Sequence, residues 1–151
     1  MQILKKELIV MDVEAGSSEE ALRVMANHFV DAGVGKSSYP DAIVEREKNY
    51  PTALPATAFD IAVPHTFAEH VNEAAMGVCV LRHPVEFKQM GSPDITLHPQ
   101  LLFMLAITDP KDQIAILRKI MKLIQNEEAL NKIKDAKSSD EIYDLVSELL
   151  A

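Results

Sequence analysis

Two nearly continuous apolar runs in the middle of the chain, residues 75–81 and 101–107, constrain the fold most strongly. Each run has the length of a strand, and neither alternates between apolar and polar residues as a half-solvated strand would. Both runs therefore predict strands that are covered on both faces. Helical patterns lie towards both ends of the chain and can supply this cover. The expected fold class is a single-domain α/β sandwich, in which a mixed central β-sheet is flanked by helices on both faces.

Capping residues mark the ends of several expected helices. Ser17-Ser18-Glu19-Glu20 and Ser138-Ser139-Asp140-Glu141 have the form of capping boxes, in which a serine oxygen accepts from an early helical N–H and the glutamate reaches back. Asp109-Pro110 predicts another helix start. The buried stripe of that helix is expected to contain Ile114, Leu117, Ile120, Met121 and Ile124. Further helices are expected over residues 40–48 and 127–134, and short strands over 3–10, 61–63 and 85–87.

Length and charge limit the class of protein. The 151 residues fit one domain, residues 1–151, with a core of its own. The formal net charge of −8 repels a phosphate backbone, so nucleic-acid binding is not expected. The apolar runs are too short to cross a bilayer, and no signal-peptide core follows Lys5 and Lys6, so direct membrane insertion is not expected. The single cysteine, Cys79, favours a reducing compartment, and we expect the cytoplasm.

His65 has the most distinctive setting of the five histidines. Pro64 restricts the preceding backbone to extended geometry and ends the expected strand there, so the ring leaves a sheet edge where reactive groups commonly lie. A neutral imidazole nitrogen is a nucleophile near pH 7. From this setting alone, a packed strand-end residue remains an open interpretation. Structural roles are expected for His28, His83 and His98. His65 and His70 are five residues apart across a turn, a spacing that does not match a typical metal site.

Two other segments invite a functional interpretation, and neither is favoured. Residues 33–37, Gly-Val-Gly-Lys-Ser, resemble the tail of a phosphate-binding P-loop, but Val30 stands where the first glycine belongs and a helix precedes the segment. We expect a helix C-cap and a turn there, and no nucleotide. Cys79 lies inside an apolar run without a neighbouring base or cation to lower its pKa, so we expect it to pack in the core.

Two motifs together resemble a known family. Residues 45–54 read Glu-Arg-Glu-Lys-Asn-Tyr-Pro-Thr-Ala-Leu, and residues 61–66 read Ile-Ala-Val-Pro-His-Thr. In this order and at this separation they resemble the signature of the enzyme IIA components of the sugar phosphotransferase system (PTS), of the mannitol/fructose type. The resemblance runs along the whole chain and is closest to the galactitol-specific subgroup. It implies the mannitol-type enzyme IIA fold and a phosphotransferase activity.

The resemblance also implies which residues form the site. His65 corresponds to the phosphate-accepting histidine of the family, and Arg46 to the arginine that clamps the phosphate. Glu47 and Thr52 belong to the same motif as Arg46, and Thr52 is expected to offer a hydroxyl donor. Gln113 stands where mannitol-type members carry a second histidine. We therefore expect a mechanism that uses a single histidine.

The partners follow from the same resemblance. Phosphorylated HPr is the expected phosphoryl donor. The expected acceptor is a cysteine of enzyme IIB, which works with the membrane enzyme IIC. A phosphoprotein donor requires neither a cofactor nor a metal. We expect a shallow apolar docking face around His65 that includes Leu54, Phe59 and Phe67. Thr66 is an alternative to Thr52 as the hydroxyl donor. Two other functions remain open. One is a regulatory protein like the nitrogen-type enzymes IIA, and the other is a non-catalytic binding module of the same fold.

Overall fold

The computed structural model describes residues 3–151, and a seven-stranded mixed sheet forms its centre. The strands are β1 (Leu4–Val13), β2 (Ala53–Leu54), β3 (Ile61–Ala62), β4 (Ala75–Leu81), β5 (Phe87–Gln89), β6 (Ser92–Leu97) and β7 (Leu101–Ala106). Across the sheet the strand order is β1-β4-β7-β3-β2-β5-β6. The pairings alternate between parallel (β1 with β4, β7 with β3, β2 with β5) and antiparallel (β4 with β7, β3 with β2, β5 with β6).

Helices cover both faces of this sheet. One face packs against α1 (Ser18–Asp31) and α2 (Tyr39–Asn49), and the other against α3 (Pro110–Leu123), α4 (Glu127–Asp135) and α5 (Ser139–Leu149). A short 3₁₀ helix, Ala68–His70, follows β3. Within residues 3–151, no helix combines the length and the apolar character needed to span a membrane.

The central strands contribute side chains to two separate cores. In β4, Met76 and Val78 face α3–α5, whereas Cys79 and Leu81 face α1 and α2. β7 alternates in the same way, and all of its residues are buried. Because both faces are covered, every position along these strands is apolar. The expected α/β sandwich with helices on both faces is confirmed.

Both capping boxes form, with one difference in their reciprocal bond. Ser17 Oγ accepts from Glu20 N–H at 3.2 Å, as expected. Glu20 Oε2, however, accepts from the N–H of Gly16 at 3.0 Å, so the glutamate reaches the residue before the cap. The box that opens α5 has the same arrangement, formed by Ser138, Glu141 and Lys137. Each box therefore pairs an additional backbone donor outside the helix.

Residues 33–37 form the expected helix end and turn. Gly33 follows α1 with a φ of +78°, a left-handed conformation that glycine adopts without strain. Its N–H donates to Val30 O at 3.0 Å, and Val34 N–H donates to Phe29 O at 3.0 Å. The second glycine, Gly35, forms a bridge with Val71.

Three local expectations differ from the structure. The expected buried stripe of α3 is wrong for Ile114 and Met121, which are 55% and 43% exposed, because only the stripe that contains Ile116 and Ile120 meets the sheet. β1 extends to Val13 through an irregularity between Val10 and Val13. The segment after residue 85 forms the β5–β6 hairpin, whereas the sequence predicts only one short strand there, over residues 85–87. These differences depend on which surfaces the sheet offers to each segment.

Candidate active site

His65 lies just past β3, and the backbone before it is anchored in the sheet. Leu105 N–H donates to Pro64 O at 2.9 Å, which ties this segment to β7. The Nδ1 atom of His65 lies 2.8 Å from Val63 O. A carbonyl oxygen can only accept, so Nδ1 carries the hydrogen and the neutral ring keeps its free lone pair on Nε2. The local chain thus selects one tautomer of the ring.

The surroundings keep the His65 ring neutral. The side chain is 7% exposed. Burial lowers the pKa of His65 below its ordinary value, the hydrogen bond to Val63 partly offsets this change, and the charge of Arg46 lowers the pKa further. Near pH 7 the Nε2 atom is therefore unprotonated and nucleophilic.

The ring borders a small pocket of about 370 Å³. Its walls come from the end of α2 and the loop after it, from the β5–β6 turn and from α3. The residues that line the pocket besides His65 are Arg46, Asn49, Tyr50, Pro51, Thr52, Met90, Gly91, Pro93 and Leu117. The site thus joins segments that are distant in sequence.

Arg46 supplies a positive charge with unused donor capacity. Its guanidinium carbon lies 4.1 Å from the centroid of the Tyr50 ring and 5.3 Å from that of the Phe67 ring. Its Nη1 atom is buried and has no hydrogen-bond partner among residues 3–151. A buried donor without an acceptor costs about 1–3 kcal/mol, so Nη1 would be stabilised by an acceptor that entered its surroundings. An oxyanion could be such an acceptor.

Glu47 holds the loop that follows α2. Its Oε1 atom accepts from Thr52 N–H at 3.0 Å, and the Thr52 hydroxyl lies 2.9 Å from each carboxylate oxygen. Burial raises the pKa of Glu47 to about 7, although the hydrogen bonds from Thr52 act in the opposite direction. In this arrangement the Thr52 hydroxyl donates to Glu47. To donate to a bound phosphate, as expected, the Thr52 hydroxyl would have to break its hydrogen bond to Glu47. This role stays a prediction.

Residues 2–149 match the model of the family described as "Phosphoenolpyruvate-dependent sugar phosphotransferase system, EIIA 2". The chain belongs to this family. The EIIA protein is 25% identical over 114 residues to the "PTS system galactitol-specific EIIA component" of Escherichia coli K12, a match that covers 76% of this chain and 75% of that protein.

Solved structures show the same fold. The crystal structure of IIA mannitol from Escherichia coli matches with a TM-score of 0.76 and 26% identity, over 97% of this EIIA chain and 98% of the other. The enzyme IIA in an NMR structure of the Escherichia coli complex of IIAMTL with phosphorylated IIBMTL matches with a TM-score of 0.78 and 23% identity, over 96% and 99% of the two chains. The mannitol-type enzyme IIA fold is therefore confirmed.

Two of the expected site residues, Gln113 and Thr66, are not among the residues that line the His65 pocket. Gln113 is half-buried in the first turn of α3, one turn before Leu117, which lines the pocket. Side chains at this spacing share a helix face, so Gln113 lies on the side of α3 that carries Leu117. Thr66 is buried, and its hydroxyl is 3.5 Å from Ala42 O. Both roles remain predictions.

Two exposed aromatic residues lie beside Arg46, which lines the pocket. Phe67 is 58% exposed and Tyr50 is 62% exposed, and both rings contact Arg46. Leu54 and Phe59 are partly buried and pack against the core beneath α3–α5, and their part in a docking face stays a prediction. The sequence signal for Tyr50 was available, because it lies in the same motif as Arg46.

The other candidate residues make structural contacts. His28 Nδ1 lies 2.9 Å from Val24 O, and His70 Nδ1 lies 2.8 Å from Ser38 Oγ. Cys79 is fully buried, and burial raises the pKa of its thiol to about 12, which makes it a poor nucleophile. No group of three or more histidine, cysteine, aspartate or glutamate side chains within residues 3–151 could hold a metal ion.

Proposed function

We propose that this EIIA protein is a phosphocarrier: His65 accepts a phosphoryl group from phospho-HPr and transfers it to a cysteine of an enzyme IIB. The observation that carries the proposal is the hydrogen bond from Nδ1 to Val63 O, which leaves the nucleophilic lone pair on Nε2. Arg46, with its unpaired buried Nη1, lines the same pocket. A neutral nucleophile and an unpaired cationic donor are the two groups that phosphoryl transfer requires.

The transfer proceeds in two displacements on phosphorus. In the first, the Nε2 lone pair of His65 attacks the phosphoryl group of phospho-HPr, the P–N bond to the donor histidine breaks, and the donor nitrogen keeps the electron pair. Nδ1–H continues to donate to Val63 O throughout. In the second, a cysteine thiolate of enzyme IIB attacks the same phosphorus, and the bond to Nε2 breaks. The lone pair returns to Nε2, so the ring ends in its starting state.

Positioning and charge are the main contributions of the protein. Phosphoryl transfer passes through a loose transition state with negative charge on the equatorial oxygens. The guanidinium of Arg46 can offer a planar pair of donors to two of these oxygens. Its contacts with Tyr50 and Phe67 limit its orientations before the partner arrives. Because a phosphoprotein is the donor, no nucleotide or metal enters either step.

Acid-labile phosphorylation provides the first test. The protein is incubated with phosphoenolpyruvate, enzyme I and HPr and is then analysed by intact-mass spectrometry. Wild type is expected to gain one acid-labile phosphoryl group, and His65→Ala none. His70→Ala is the matched control, since it removes a nearby histidine that does not line the pocket, and it is expected to gain one group. Absence of the modification in wild type, or its presence in His65→Ala, would contradict the proposal.

For the partner and the sugar, we propose a galactitol-type system. The galactitol-specific name of the Escherichia coli relative supports this choice, and the complex of an enzyme IIA with phosphorylated enzyme IIB supports enzyme IIB as the acceptor. The membrane enzyme IIC of that system would select the sugar alcohol. Transfer from the phosphorylated protein to purified enzymes IIB tests this choice, and a galactitol-type IIB is expected to react faster than a mannitol-type one. The reverse order would contradict it, and no transfer to either would favour a regulatory role.

A further inference from the structure

A continuous path of hydrogen bonds connects Glu47 in α2 to the ring of His65. The Glu47 carboxylate accepts from the backbone N–H of Thr52 at 3.0 Å and from its hydroxyl at 2.9 Å. The carbonyl of Thr52 accepts from Val63 N–H at 3.2 Å. The carbonyl of Val63 accepts from Nδ1 of His65 at 2.8 Å. Each group in this path is a backbone or buried side-chain atom.

The segment in the middle of the path is a short ladder between β2 and β3, and these strands also pair with β5 and β7 respectively. β2 and β3 pair only through Ala53 with Ala62 and Leu54 with Ile61. Prolines stand on both sides of β2, at positions 51 and 55, and proline has no N–H to donate. The bonds from Thr52 to Glu47 therefore hold the end of this short ladder that leads to His65.

Glu47 does not itself line the His65 pocket, whereas Thr52 does. Thr52 and the backbone of Val63 connect Glu47 to the ring through hydrogen bonds. A carbonyl that fixes the second nitrogen of a histidine sets its tautomer and its orientation. Displacement of Val63 O would release the ring and allow Nε2 to carry the proton instead.

We propose that Glu47 is a positioning residue: by holding Thr52 it fixes the carbonyl of Val63, and thereby it keeps the lone pair of His65 on Nε2, towards the incoming phosphoryl group. The consequence for transfer rests on the proposed function, whereas the consequence for the ring does not. This role requires an acceptor oxygen at Glu47 but no charge. Glutamine retains that oxygen, and its amide can also meet the Thr52 hydroxyl, whereas alanine removes both contacts.

The test compares Glu47→Ala with Glu47→Gln. The tautomer of His65 is read from the ¹⁵N shifts of its ring in the unphosphorylated protein at pH 7.5, and single-turnover transfer from phospho-HPr is timed on the same samples. Glu47→Ala is expected to give a mixture of tautomers and transfer slowed by about 10- to 100-fold, the scale of misplaced reacting groups. Glu47→Gln is expected to keep the Nδ1–H tautomer and transfer within about threefold of wild type.

Glu45→Ala is the matched control, because Glu45 is an exposed carboxylate of the same helix that bonds only Asn49. It is expected to leave tautomer and rate unchanged. If Glu47→Ala folds and keeps the wild-type tautomer of His65 and the wild-type transfer rate, Glu47 has no positioning role. If Glu47→Gln shows the same losses as Glu47→Ala, the carboxylate acts through charge or proton transfer, and the inference is overturned.

A second variant covers the case in which Glu47→Ala does not fold. Thr52→Val keeps the shape of the side chain and removes the hydroxyl, so it is expected to raise the Nε2–H tautomer measurably and to slow transfer several-fold. Wild-type tautomer and rate in this variant would overturn the inference. The ring measurement also separates the two proposals: a tautomer change in a protein that is never phosphorylated would refute the proposed function and leave the positioning role intact.

Discussion

Replacing Arg46 by lysine separates a role in binding the phosphoryl group from a role in holding the fold. Lysine keeps the positive charge but lacks the planar pair of donors. Loss of one charge-assisted hydrogen bond costs about 1.5–3 kcal/mol. If that bond forms mainly in the transition state, the cost corresponds to transfer slowed by about 10- to 150-fold, at about 1.4 kcal/mol for each factor of ten.

The expected effect of Arg46→Lys on stability is much smaller, because two contributions oppose each other. The stacking of the guanidinium on the exposed rings of Tyr50 and Phe67 contributes about 0.5–1 kcal/mol for each pair, and part of it is lost. Removal of the buried, unpaired Nη1 relieves a cost of about 1–3 kcal/mol. The free energy of unfolding is therefore expected to change by less than about 1 kcal/mol.

Rapid-quench measurement of a single turnover with phospho-HPr gives the transfer rate, and urea unfolding gives the stability of the same preparation. Arg118→Lys is a suitable control, because Arg118 is exposed on α3 and does not line the pocket. A normal transfer rate in Arg46→Lys would refute the role of Arg46 in clamping the phosphoryl group. Normal transfer together with a stability loss above about 2 kcal/mol would assign Arg46 a structural role.

Three further predictions concern stability and ionisation. Gly77→Ala is expected to lower the unfolding free energy by about 1–3 kcal/mol in urea titrations, because the added Cβ would lie 2.6 Å from Leu8 O. Glu47 has a pKa of about 7 in the folded protein against an ordinary value of 4.5. Its contribution to the free energy of unfolding is therefore complete below pH 4.5 and is lost as the pH rises through 7. Glu47→Gln should remove this pH dependence of stability. The pKa of His65 is lowered, so its NMR titration should have a midpoint below 6.5, and acidification below 6.5 should destabilise wild type more than His65→Ala.

Each of these predictions has a clear contrary result. A Gly77→Ala variant as stable as wild type would mean that β1 can move away from β4 at little cost. If the unfolding free energies of wild type and Glu47→Gln depend on pH in the same way between pH 4.5 and 8, the pKa of Glu47 is not raised in the folded protein. A midpoint for His65 at or above 6.5 would mean that the ring is better hydrated than its burial indicates.

Much of the site could be found in the sequence because its parts lie in two short motifs. Arg46 and Glu47 stand side by side near the end of α2, and Pro64 forces an extended backbone immediately before His65. The bonds between the motifs were not predictable. The contact of Glu47 with Thr52 depends on how the chain turns after α2, and the contact of Thr52 with Val63 depends on the pairing of two very short strands.

Elements whose causes are local or repeated along the chain could be predicted from the sequence alone. Capping serines placed the starts of α1 and α5, and the continuous apolar runs identified β4 and β7 as strands covered on both faces. The strand order, the exposure of Ile114 and Met121 on α3, and the set of residues that surrounds His65 depend on long-range packing. A cap or a proline acts within a few residues, whereas the pocket beside His65 is formed by segments that the fold brings together from separate parts of the chain.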